Sequence, residues 1–124
     1  MLAFLKSFND FISGTYNLHS LNLSSCEINE DMGTELFKAF SGAKSLSRLN
    51  LSGNMLKRGS ILTLASVIKK NKHLAKTLDT LNLSRCYIAD PECVELIKAV
   101  HKFKSLRQIL LTANDVKEGT GEAL

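Results

Sequence analysis

Leu78-Asp79-Thr80-Leu81-Asn82-Leu83-Ser84-Arg85-Cys86-Tyr87-Ile88 is one of four copies of a single phrase, and the reading of that phrase decides the fold. The others run from Leu18 to Ile28, from Leu46 to Leu56 and from Leu106 to Val116. Each fits L-x-x-L-x-L-x-x-(N/C)-x-L, with aliphatic swaps at Ile28, Ile88, Ile109 and Val116. Their first leucines stand at 18, 46, 78 and 106, so the intervals are 28, 32 and 28 residues. In each copy the two central aliphatic residues are two apart, a spacing that puts both on one face of a strand. Leu21/Leu23, Leu49/Leu51, Leu81/Leu83 and Ile109/Leu111 are therefore expected to point inward, and the residues beside them outward.

Cys26, Asn54, Cys86 and Asn114 then occupy the turn that leaves each strand. A buried Asn there can satisfy backbone groups of the turn with its amide, and a Cys fills the same pocket with a weaker S–H donor. The second half of each unit keeps helical spacing, with Leu36/Ala39/Phe40, Leu64/Val67/Ile68 and Leu96/Ala99/Val100 each on one stripe. Asp90-Pro91-Glu92 predicts a helix start with Asp90 as N-cap before a first-turn proline, and Asn29-Glu30-Asp31 predicts an equivalent acidic start. The four extra residues of the long interval fall between Ile68 and Leu78, where an extended helix end or a protruding loop is expected. Phe8, Phe11 and Ile12 repeat the helical trio ahead of the first strand.

The fold class is thus α/β: a solenoid of about four repeats, with parallel strands on its concave side and helices on its convex side. Residues 1–17 form an amphipathic helix, either a cap or the helix of a preceding repeat. Residues 18–124 carry the repeats, the last of them incomplete because Leu124 is only the first member of a fourth trio. Repeat arrays need polar caps, so an excised segment of a longer array, or self-association through the uncapped last repeat, is expected.

Composition narrows the function. With 44% apolar and 23% charged residues the chain reads as an ordinary globular protein, and no apolar run is long enough to cross a bilayer. The N-terminus lacks the basic leader and cleavage site of a secretory signal. Three cysteines without metal-site spacing read as reduced, buried thiols of a cytoplasmic protein. Cys93, one turn into a helix, is placed where a thiol pKa can fall, although nothing basic adjoins it. Asn22, Asn50 and Asn82 each open an Asn-Leu-Ser sequon inside a strand, so glycosylation is discounted. His19, His73 and His101 fall in unrelated positions, and Gly119-Thr120-Gly121 lacks the tail of a phosphate loop. No catalytic residue, cofactor site or metal site is expected, and the chain reads as a non-enzyme.

A partner surface is the remaining expectation. The outward strand positions are small and polar, without the aromatic anchors of a binding hot spot, so contacts are expected from loops and rims. Positive charge gathers at the helix ends. Candidate partner-binding residues are Arg48, Arg85, Lys69, Lys70, Lys72, Lys76, Lys98 and Lys102. Lysines there also complement helix dipoles. The net charge of +4 and the absence of interleaved aromatics argue against nucleic acid. An acidic protein is the expected partner, ahead of an anionic membrane surface.

The motifs resemble the leucine-rich repeats of the ribonuclease-inhibitor-like family over residues 18–116, the alternation of Cys and Asn in the turns included. Tyr16-Asn17-Leu18 after an aromatic helix, with the Asn71-Lys72-His73-Leu74 junction, is similar to segments of CARMIL-type actin-regulator arrays. The resemblance implies a protein–protein interaction scaffold from a longer cytoplasmic protein, of cytoskeletal or actin-regulatory kind. Its alternatives are a regulator of a small GTPase of the Ran GTPase-activating type, which implies nucleotide-dependent binding, and a bacterial effector array that binds host protein. The capping-protein-binding segment of CARMIL proteins lies outside their arrays and has no counterpart among these residues.

Overall fold

The computed structural model describes residues 2–13 and 18–114. In it the four phrases become four short strands, β1 (Ser20–Asn22), β2 (Arg48–Asn50), β3 (Thr80–Asn82) and β4 (Gln108–Leu110). They pair in chain order and all in parallel, with Leu21, Leu49, Leu81 and Ile109 side by side across the sheet. A slip of one residue would turn every one of these aliphatic side chains outward, so the pattern pins the register.

Parallel neighbours need a crossover, and helices supply it. They are α2 (Glu30–Phe37), continued by a 3-10 turn (Lys38–Gly42), then α3 (Lys57–Lys70), α4 (Leu74–Thr77) and α5 (Asp90–Val100), with α1 (Leu2–Ser13) ahead of β1. The core lies between sheet and helices. Leu49, Leu51, Leu81 and Leu83 meet Leu36, Phe40, Leu64, Ile68 and Leu96 there, none more than 2% exposed. Burying each such side chain contributes roughly 1.5–3 kcal/mol. Leu21, Leu23, Ile109 and Leu111 are only half-buried, because among the described residues the outer strands have a neighbour on one side alone.

Asn54 binds one unit to the next. Its Oδ1 accepts from the backbone N–H groups of Cys26 (3.1 Å) and Ile28 (3.0 Å), and its Nδ2 donates to the carbonyls of Leu23 (2.9 Å) and Leu51 (3.0 Å). Asn114 does the same for Cys86, Ile88, Leu83 and Leu111. The Cys86 side chain has no carbonyl oxygen to offer, and its Sγ donates to the Leu51 carbonyl instead. The turn after β2 closes another way, with Leu56 N–H on the Asn54 carbonyl and Lys57 N–H on the Cys86 carbonyl. Where an Asn follows, Glu27 and Tyr87 hold positive φ; where the Cys follows, Lys57 does. The identity of one side chain thus selects the shape of the preceding turn.

Ser25, Gly53, Arg85 and Ala113 share another left-handed position, with φ of 50°, 72°, 55° and 57°. Only Gly53 adopts it without steric cost, and a Cβ on Gly53 would also come within 2.6 Å of Ser25 Oγ. Gly53→Ala should cost about 1–2 kcal/mol, the usual penalty of the left-handed region. Thermal melts check this; an unchanged midpoint would show the turn relaxing freely.

Several expectations change on folding. Phe8 and Ile12 are buried, Phe8 edge-on to Phe40 at 6.1 Å, but Phe11 is 42% exposed, since α1 rests one side on the 3-10 turn and α2. Cys26 is exposed rather than buried, because among the described residues no strand precedes β1 to receive its thiol as Leu51 receives that of Cys86. Ala39 and Phe40 sit in the 3-10 turn, still inside the core. Asp90 is the first residue of α5 and not its N-cap; Ala89 holds that place, its N–H donating to Glu92 Oε2 at 3.0 Å.

The four-residue insertion does not protrude. After α3 ends at Lys70, Asn71 turns inward and the chain forms α4, with Leu74 buried. Val116, Gly119-Thr120-Gly121 and Leu124, with the uncapped last repeat expected there, lie outside the described residues.

Candidate functional site: a basic groove and a polar sheet face

Two surfaces collect the candidate residues. The first forms where the C-terminal halves of α3 and α5 run side by side. Lys69, Lys70 and Lys98 rise over a floor of Ala65 and Ala99, lining an open groove of about 440 Å³. A second depression of about 530 Å³ adjoins it, with Lys69, Lys98 and Lys102 over Ala75 and Phe103. Small alanines at this seam leave the space, and lysine stems reach over it with their charges in water. The helix C-termini add their own negative ends, which hold the ammonium groups locally.

Little neutralises this groove. Lys98 lies 3.6 Å from Glu95, an exposed pair one helical turn apart, and such pairs contribute little. Lys69, Lys70 and Lys102 make no ion pair among the described residues. Lys72 and Lys76 belong to the Asn71–α4 segment and line neither depression. The expected ridge of lysines therefore splits: four residues converge and two stand apart.

The second surface is the outer face of the sheet. Arg48 stands there with Ser20, Asn22, Asn50, Thr80 and Asn82 around a shallow cleft of about 330 Å³. Beside it, Arg107 grips Asp79 at 2.7 Å, and that guanidinium holds the Asp79 carboxyl below its ordinary range. Arg85 sits apart, in the turn after β3.

The two buried thiols are chemically quiet. Burial pushes the Cys86 and Cys93 thiols up, and the Asp90 charge adds to the effect at Cys93. Cys93 is therefore raised and not lowered, with desolvation the largest cause. Among the described residues no group of three or more His, Cys, Asp or Glu side chains is arranged to hold a metal. No helix among them is long and apolar enough to cross a membrane.

Sequence reasoning missed the groove's apolar floor, since Ala65, Ala75, Ala99 and Phe103 come from three helical segments and the start of a loop. Repeat periodicity pairs Ala65 with no fixed partner, so no signal along the chain announces the seam.

The family described as Leucine Rich Repeat matches residues 17–42 of the chain. No curated protein sequence matches it. Among solved structures, the tropomodulin C-terminal domain of Caenorhabditis elegans aligns with a TM-score of 0.74 at 13% identity, over 89% of this chain and 65% of that one. A structure of Leiomodin-1 Actin-Binding Site 2 aligns with a TM-score of 0.74 at 14% identity, over 96% of this chain and 66% of that one. The chain thus spans a little under two thirds of either neighbour. Identities this low speak for the fold, which is α/β and leucine-rich-repeat-like with a parallel sheet.

Proposed function

We propose that this chain is a protein–protein interaction module of a cytoplasmic, actin-regulatory protein, and that it acts by contact rather than by chemistry of its own. On this reading its units stack as consecutive coils of a ribonuclease-inhibitor-like solenoid, and an acidic protein surface is the partner. The observation that carries it is the convergence of Lys69, Lys70, Lys98 and Lys102 on two adjoining depressions with an apolar floor. Apolar depth with a charged rim is the anatomy of a protein interface, and unneutralised lysines speed association with an acidic surface. The free thiols support a reducing compartment. Likeness in fold to Leiomodin-1 Actin-Binding Site 2 makes actin the first partner to test.

Titration against purified actin, as monomer and as filament, is that test. Wild-type chain is expected to bind one of the two forms. Reversing Lys69, Lys70, Lys98 and Lys102 to Glu should weaken binding at least tenfold, about 1.4 kcal/mol, with the circular dichroism spectrum and melting midpoint preserved. Binding that ignores the reversal would leave these lysines with solubility alone. An absence of binding to either form of actin would remove the actin-regulatory reading.

A further inference from the structure

The outer face of the sheet carries two rows fixed by the strand register, Ser20–Arg48–Thr80–Gln108 and Asn22–Asn50–Asn82–Leu110. The three asparagines share one local structure. Asn22 Oδ1 accepts from the Ser24 backbone N–H at 2.9 Å, Asn50 Oδ1 from Ser52 at 3.0 Å, and Asn82 Oδ1 from Ser84 at 3.1 Å. The Ser24 and Ser52 hydroxyls donate to the same oxygens. A backbone N–H can only donate, so the atom facing it is the amide oxygen and the amide nitrogen must face the other way.

Each asparagine therefore spends its acceptor on its own turn and turns an NH2 group outward. Among the described residues, no acceptor meets these three Nδ2 atoms. Neighbouring strands lie about 4.8 Å apart, so adjacent amides are placed to hold the two oxygens of one carboxylate. Arg48 adds a full positive charge within the same cleft. No acidic residue stands in either row. Asp79, beside the first row, is held by Arg107 and by the Thr80 hydroxyl and also feels the Arg48 charge. Leu110 ends the row at β4, which confines the strip to three strands.

We propose that this strip binds the side-chain carboxylates of an acidic, extended protein segment laid across β1, β2 and β3. Three outward NH2 groups and the Arg48 charge in one cleft favour an anionic acceptor, a carboxylate, and disfavour an ammonium group. The inference rests on the interaction-module reading only in that the partner is a protein; it does not use the lysine groove on the helices.

The strip is tested with fluorescein-labelled hexaglutamate, hexaglutamine of equal length, and side-chain amide NMR. Hexaglutamate should bind and shift the NH2 resonances of Asn22, Asn50 and Asn82, and hexaglutamine should do neither. Asn50→Asp keeps an oxygen for the Ser52 N–H but replaces the outward NH2 with an anionic oxygen. It should weaken hexaglutamate at least tenfold without lowering the melting midpoint. Arg48→Gln, which leaves every turn intact, should weaken it at least threefold. The double variant Lys69→Glu/Lys98→Glu should leave the three resonance shifts in place. Absence of hexaglutamate binding, shifts that bypass the asparagines, or an Asn50→Asp protein of wild-type affinity would each overturn the proposal. Loss of binding only in the lysine variant would do so too, while leaving the groove reading standing.

Discussion

Asn54→Ala should lower stability by about 3–5 kcal/mol, taking roughly 1 kcal/mol, the low end of the usual penalty, for each backbone group that loses its partner. The side chain is 1% exposed, so water cannot replace it. Removing it strips acceptors from the N–H groups of Cys26 and Ile28 and a donor from the carbonyls of Leu23 and Leu51. The damage falls on two units at once, because three of these groups follow β1 and one follows β2. Urea unfolding should show a lower midpoint, and hydrogen exchange should speed up at Cys26 and Ile28 before it does at the β3 backbone. Asn54→Cys, which places the residue of the alternate turns there, should recover only part of the loss, since a thiol donates but has no carbonyl oxygen to accept. A loss below 1 kcal/mol for Asn54→Ala would mean the turn does not depend on this amide.

A second large effect is expected at Asn71. Its Nδ2 donates to the carbonyls of Phe40 and Ala43, both at 2.9 Å, and its Oδ1 accepts from the N–H groups of His73 (2.9 Å) and Leu74 (3.1 Å). One buried amide thereby ends α3, starts α4 and fastens both to the end of the preceding unit. Asn71→Ala should cost about 2–4 kcal/mol by the same accounting, slightly less than Asn54→Ala because the His73 backbone lies near solvent. The test is specific. α4 should fray, exposing Leu74, so proteolysis should begin between Lys70 and Lys76 while β1 to β3 stay protected. Cleavage there at the wild-type rate would contradict it.

These two asparagines differ in how visible they are along the chain. Asn54 occupies the turn position of a phrase that recurs four times, and its role follows from the inward pointing of the leucines around it. Asn71 has no counterpart in the other units, so periodicity could say only that extra residues fall there. An amide reaching 31 positions back to Phe40 is a tertiary fact. The same division holds for the candidate sites. Lysines at helix ends are legible as charge, yet only packing shows that Lys69, Lys70, Lys98 and Lys102 line two adjoining depressions and that Lys72 and Lys76 line neither. The outward position of Asn22, Asn50 and Asn82 is legible from alternation, whereas the direction of each amide is decided by the turn that takes its oxygen.

Strand positions, parallel order and register were determined by the sequence itself, because a strict spacing of leucines allows only one arrangement that buries them all. The fate of Cys26 and Phe11 was not, since burial depends on whether a neighbour arrives to cover a side chain and not on the side chain's own apolarity. The upward push on the Cys93 thiol likewise comes from desolvation, which exists only once the chain is packed.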